Sequence, residues 1–155
     1  MSLESVRQFF AERAPDIGII ELAESTATVE LAARAHHVKP GQIAKTLSLK
    51  VKDRVVLIVT RGDVRLDNRK LKAVLGAKAR MLSTDEVVNW TGHPVGGVCP
   101  FGLETPLQVF CDVSLKDFEE VLPAAGSIFS AVRIAPALMA ELTEATWIDV
   151  CQRPE

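Results

Sequence analysis

Apolar and polar residues alternate along Lys45-Thr46-Leu47-Ser48-Leu49-Lys50-Val51, and alternation with period two predicts a strand with one covered face. A Lys52-Asp53-Arg54 turn then leads into Val55 to Thr60, an unbroken apolar run that reads as a buried strand. Elsewhere the spacing is helical. Ser2 predicts the cap of a first helix, with Leu3, Val6, Phe9 and Phe10 on one side and an end before Pro15. A short strand follows from Ile17 to Leu22. Thr28 caps a second helix running to about His37, with Val29, Ala32, Ala33 and Ala35 as its apolar side, and Lys39-Pro40-Gly41 stops it. Asp67 caps a basic helix from Asn68 to Leu75 closed by Gly76, and Ser83 with Glu86 makes a capping box for a helix to about Trp90. A strand from Leu107 to Asp112, a helix capped by Ser114, a strand from Ala131 to Ile134 and a helix after Pro136 complete the pattern. Neither repeats nor linkers break it. Residues 1–155 are therefore expected to form one α+β domain, a mixed, curled β-sheet or barrel surrounded by helices.

Two places do not fit a plain core pattern. Lys45 shares the odd-numbered face of its strand with Leu47, Leu49 and Val51, the face that should be covered. An isolated buried ammonium is very unfavourable, so it needs a partner or a polar cavity. Either it stands at a pocket mouth and holds a phosphate or carbonyl oxygen, or it lies at the strand end and snorkels to water. The second place is Gly96-Gly97-Val98-Cys99-Pro100-Phe101-Gly102. Three glycines and a proline in seven residues suit neither a helix interior nor a central strand. Turn signals flank the run, Thr91-Gly92-His93-Pro94 before it and Thr105-Pro106 after it. It is either a plain connection or a loop whose backbone groups hold a ligand.

The remaining candidate chemistry is sparse. His93 adjoins the glycine loop and is a candidate to line the same site. Cys99 has no evident activating base and reads as a small packing residue. Asp112 ends a strand, where it either supports the loop or begins the turn into Ser114. His36 and His37 sit at a helix end, where a cation complements the dipole. No Ser/His/Asp order, G-x-G-x-x-G or Walker-type loop is present.

Charge changes the picture. The chain carries 18 Lys+Arg against 20 Asp+Glu, but residues 34–80 hold 13 basic and 3 acidic side chains. Such a block is a candidate footprint for a polyanion unless the fold intermixes it with the acidic segments. Three cysteines, with no CxxC and no ligand-spaced histidine, suggest a reducing cytoplasm and no metal site or disulfide framework. No apolar run approaches the roughly 18 residues of a membrane span, the N-terminus lacks signal-peptide features, and aromatics at 5% argue against base-stacking platforms.

Lys45-Thr46-Leu47 taken together with Gly96 to Gly102 resembles the YbaK/ProX family, the prolyl-tRNA-synthetase-associated editing domains. The likeness extends through the helix begun by Thr28, Gly62-Asp63, Lys70-Leu71 to Leu75-Gly76, Thr91-Gly92, Asp112 and Ala125-Gly126. The resemblance implies a free-standing, cofactor-free and metal-independent deacylase of the cytoplasm that hydrolyses the ester of mischarged tRNA. Lys45 would orient the tRNA 3′ end, and the backbone from Gly96 to Pro100, with Gly97 at its centre, would hold the aminoacyl ester. A terminal ribose hydroxyl would assist the attack. Thr28, Thr46, His93, Gly96, Val98, Cys99, Pro100, Phe101, Gly102, Asp112 and Gly126 would surround the substrate, with Arg65, Arg69, Lys70 and Lys72 on tRNA phosphates. The implied partners are the tRNA acceptor end and an aminoacyl-tRNA synthetase, not DNA and not a membrane. Two departures stand out: Cys99 where many members have Ser, and Gly126-Ser127-Ile128-Phe129-Ser130 where several have a Gly-Lys-Arg-Gly-type stretch. They leave cysteinyl, alanyl, seryl and threonyl specificity open, with Thr46 making the alanyl branch less fitting. A non-catalytic tRNA- or synthetase-binding module and a nucleotide-binding protein are the competing classes.

Overall fold

The computed structural model describes residues 2–152. The alternating segment and the apolar run form the long antiparallel hairpin of β2 (Ile43–Val51) and β3 (Arg54–Arg61), paired from Ala44↔Arg61 to Val51↔Arg54. Around it a six-stranded mixed sheet runs in the order β4 (Ala79–Met81), β2, β3, β5 (Gln108–Asp112), β8 (Thr146–Ile148), with β6 (Leu122–Pro123) beside the start of β2. β3 to β5 and β5 to β8 are parallel. A separate antiparallel pair joins β1 (Ile19–Glu21) to β7 (Ser130–Val132). The sheet is open, which settles the choice between curled sheet and closed barrel.

Its two faces are packed differently. Leu57 and Val59 of β3 bury one face against Val6 and Phe10 of α1 (Ser2–Arg13) and Met139 and Ala140 of α5 (Pro136–Thr143). Leu49, Val51, Val56 and Ile58 cover the other face with Leu71 and Leu75 of α3 (Asn68–Leu75). Each fully buried leucine of that layer contributes about 2 kcal/mol. α2 (Val29–His36) lies over Ile43 and Leu122, and α4 (Thr84–Thr91) buries Val87 against Val55 and Leu82.

The caps read from sequence at Thr28, Asp67 and Ser83 are made, the last as a complete capping box with Glu86. Four details differ. Ser2 is the first residue of α1, and its hydroxyl turns to His93. The segment after β5 is a 3-10 turn, Val113–Asp117, capped by Asp112, because that buried carboxylate reaches the Ser114 N–H first. The strand expected to begin at Ala131 is Ser130–Val132, with Ile134 in an isolated bridge to Val121. β4, β6 and β8 went unpredicted, since two or three residues carry too little periodicity to show.

Candidate functional site

A cavity of about 310 Å³ opens beside β2, within the range of about 300–1,000 Å³ usual for small-molecule sites. Three parts of the chain far apart in sequence enclose it. Thr28, Val29, Ala32 and His36 come from α2 and its cap, Thr46 and Ser48 from β2, and Gly96 and Val98 from the glycine loop. The exposed side chains of Met81 and Val95 supply apolar lining. Gly96 has φ +90, and a Cβ there would stand 3.0 Å from Ala27 Cβ, so a glycine is what lets the loop close on the start of α2. The amides of Gly96 and Val98 have no acceptor among the described residues, whereas the Gly97 amide is spent on Pro94 O at 2.9 Å.

Lys45 lines the cavity and is half-buried. Its ammonium donates to Val64 O at 2.5 Å, so it has a partner and does not simply snorkel to water. Burial pulls its pKa down, while Cys151, Asp63 and Glu30 oppose that and Arg65 adds to it. Period two turns Thr46 and Ser48 to the other face of β2. Thr46 Oγ1 and His36 Nε2 are both buried without a hydrogen-bond partner, and both residues border the same cavity. Two unsatisfied polar atoms at one wall are what a site built to be completed by a polar ligand leaves behind. The helix-end placement of His36 in the sequence accounts for its charge but not for its position; the spacing Val29, Ala32, His36 puts all three on the helix face that borders the cavity.

Of the residues that the family resemblance put around the substrate, Thr28, Thr46, Gly96 and Val98 line the cavity, as does Lys45, and the others do not. Phe101 is fully buried, its ring centroid 4.7 Å from that of Phe10 and 5.5 Å from that of Phe9. His93 is fully buried as well. Its Nε2–H donates to Phe101 O at 2.7 Å, which leaves Nδ1 to accept the Ser2 hydroxyl. Ser5 Oγ donates to Gly102 O at 2.9 Å, completing a clasp between the first turn of α1 and the loop. A Cβ on Gly97 would stand 2.8–2.9 Å from the Ser127 backbone, and Gly126 N–H donates to Gly97 O at 3.0 Å. Cys99 lies 3.6 Å from His93 Nε2 without exposure, and burial pushes its thiol up to about 12, so it packs as expected. Pro100 is buried beside it. Asp112 takes N–H bonds from Ser114 at 2.9 Å and Val150 at 2.8 Å, the turn-forming alternative of its two readings. Lys70 is committed to Asp149 and Cys151 O, both at 3.2 Å, while Arg65, Arg69 and Lys72 are exposed. No group of three His, Cys, Asp or Glu side chains among the described residues could hold a metal ion. No helix among them is long and apolar enough to cross a membrane.

Residues 23–142 match the family model described as the aminoacyl-tRNA editing domain. The Bacillus subtilis (strain 168) protein "Uncharacterized protein YwhH" is 47% identical over 154 residues, 98% of either chain. Proline--tRNA ligase of Bacillus licheniformis is 33% identical over 93 residues, which are 59% of this chain and correspond to 16% of the ligase. A solved structure described as "a putative trans-editing enzyme for prolyl tRNA synthetase" superposes with TM-score 0.91 at 31% identity, covering 98% of both chains. Hypothetical protein APE2540 superposes with TM-score 0.89 at 29% identity, over 96% of this chain and 99% of the other. A lysine-bearing strand and a glycine loop closing one cavity, in a chain matched from residue 23 to residue 142, place this protein in the aminoacyl-tRNA editing domain family.

Proposed function

We propose that the protein hydrolyses the ester of mischarged tRNA in trans, with the aminoacyl-adenosine end of the tRNA in the cavity between α2, β2 and the glycine loop. The observation that carries this reading is the convergence on one cavity of Thr28, Lys45, Thr46, Gly96 and Val98, the last two with amides that have no acceptor among the described residues. Water attacks the ester carbonyl carbon, the bond to the ribose oxygen breaks, and that oxygen takes the proton, releasing amino acid and tRNA. A neighbouring ribose hydroxyl guides the water, so no side-chain triad is needed. The Gly96 and Val98 amides face the negative charge that develops on the carbonyl oxygen, where one lost donor costs roughly 3–4 kcal/mol of barrier, about 10²–10³ in rate. Lys45, held between Val64 O and the cavity, orients the 3′ end. The resemblance to part of a proline--tRNA ligase makes tRNA charged by that synthetase the first substrate to try, and the synthetase a candidate partner.

The experiment is a deacylation panel, tRNAPro carrying cysteine, alanine, serine or threonine, run with the parent protein and Lys45→Ala. Hydrolysis of at least one ester, reduced about 100-fold or more in kcat/KM in a variant with the parent's Tm, is the expected result. A parent that binds these tRNAs yet hydrolyses none would make the protein a non-catalytic module. A Lys45→Ala variant working at the parent rate would remove the lysine from the mechanism.

A further inference from the structure

Where β2 meets β4, four cationic side chains line one shallow concavity, Lys50, Lys52, Lys78 and Arg80, with only the small Ala79 among them. Lys50 and Arg80 are direct cross-strand partners, and like charges opposite each other in a sheet are destabilising. Lys52 occupies the hairpin tip at φ +54, a conformation that favours glycine or asparagine. Arg80 is paired with Glu86 at 3.0 Å, but Lys50, Lys52 and Lys78 have no carboxylate or other hydrogen-bond partner among the described residues. Folding has thus gathered charge that local energetics would disperse. Elsewhere in the basic block Lys70 is paired with Asp149 and Arg61 with Asp63 and Asp117.

The concavity also continues the cavity. Lys50 lies two residues beyond Ser48 on the same face of β2, about 7 Å along the strand. Arg80 immediately precedes Met81 and Leu82, and Ser48, Met81 and Leu82 all border the cavity. α3, which carries Arg69, Lys70 and Lys72, packs on the opposite face of β2 through Leu71 and Leu75.

We infer that the Lys50, Lys52, Lys78 and Arg80 cluster binds the phosphodiester backbone of the RNA strand whose aminoacyl end enters the cavity. The cluster, rather than α3, then sets the direction in which the acceptor stem leaves. This assignment rests on the function proposed above. It explains a concentration of unpaired cations beside a largely apolar cavity: the cavity takes the esterified residue, and the cluster takes the polyanion attached to it.

The test compares full-length parent with Lys52→Ala/Lys78→Ala and with Arg69→Ala/Lys72→Ala. All four positions are exposed, so the fold is undisturbed. Affinity for a deacylated acceptor-stem RNA hairpin is measured against salt, and deacylation is followed on charged tRNA and on a bare aminoacyl-adenosine ester. The Lys52/Lys78 variant should flatten the slope of log affinity against log salt by about 1.5 units. It should also lose at least tenfold more kcat/KM on tRNA than on the bare ester. An unaltered slope in that variant, or flattening confined to the Arg69/Lys72 variant, overturns the assignment while leaving the deacylase reading intact. A parent that hydrolyses neither ester, but whose RNA binding still depends on Lys52 and Lys78, overturns the deacylase reading and keeps the cluster. Absence of RNA binding by the parent overturns both.

Discussion

Thr46 tests the proposed site with a single side chain. Its Oγ1 is buried without a partner, and an unsatisfied buried polar group costs about 1–3 kcal/mol. Thr46→Val keeps the shape and removes that cost. Under the proposed function, in which the hydroxyl's partner arrives with the substrate, the expected outcome is a Tm that holds or rises while deacylation falls. A drop in Tm with unchanged kcat/KM would make the residue a packing element. Lys45 lies at the same scale: alternation along β2 exposed it as an anomaly, and the anomaly proved to be a cation held by a backbone carbonyl at the edge of the cavity. Nothing in the local sequence names Val64 as that partner, nineteen residues away.

At the scale of elements, the glycine loop is a packed wall rather than an exposed strap. Phe101 anchors it in the aromatic cluster of α1, His93 clasps it to Ser2, and Gly97 is buried against the 126–127 segment. Positive φ belongs to Gly96, and a methyl group at position 97 collides with Ser127 backbone, which has no flexible end to swing away. Overpacking of this kind costs typically 1–3 kcal/mol. Both Tm and single-turnover rate of Gly97→Ala should therefore fall, the rate by more than the unfolded fraction accounts for, because the Gly96 and Val98 amides move with it. An unchanged Tm would refute the close approach.

For the whole molecule, two histidines tie stability to pH. Burial is the main cause that lowers the pKa of both His93 and His36 from the ordinary 6.5, with Arg133 and His37 also acting on His36. In the unfolded chain both revert to ordinary values. As pH falls below about 6.5 the unfolded chain takes up protons first, so stability is full above that pH and declines until the folded-state values are reached. Carboxylates with lowered pKa, Asp63 and Glu86, add their losses only further into acid, which leaves pH 7 to 5 as the histidine window. Tm should fall across that window, and His93→Gln should flatten part of the fall even if its own Tm at pH 7 is lower. A Tm profile identical in slope to the parent's would show that His93 is not held neutral.

The sequence by itself determined the local architecture. Helix caps at Thr28, Asp67 and Ser83, the β2–β3 hairpin and the cavity-facing Val29–Ala32 spacing are written within a few residues of where they act, since hydrogen bonds and side-chain periodicity are local. It also marked the lysine and the glycine run as out of place, and their pairing carried the family. Only the tertiary structure decided which loop residues face the cavity, because Gly96 and Val98 differ from Cys99 and Phe101 in what lies across from them and not in local pattern. The same holds for charge. Thirteen basic residues in one stretch could not reveal which would remain unpaired. Lys70, Arg61 and Arg80 meet acids brought from elsewhere or from the next turn, while Lys50, Lys52 and Lys78 meet none, and that difference is set by which strands become neighbours when the sheet assembles.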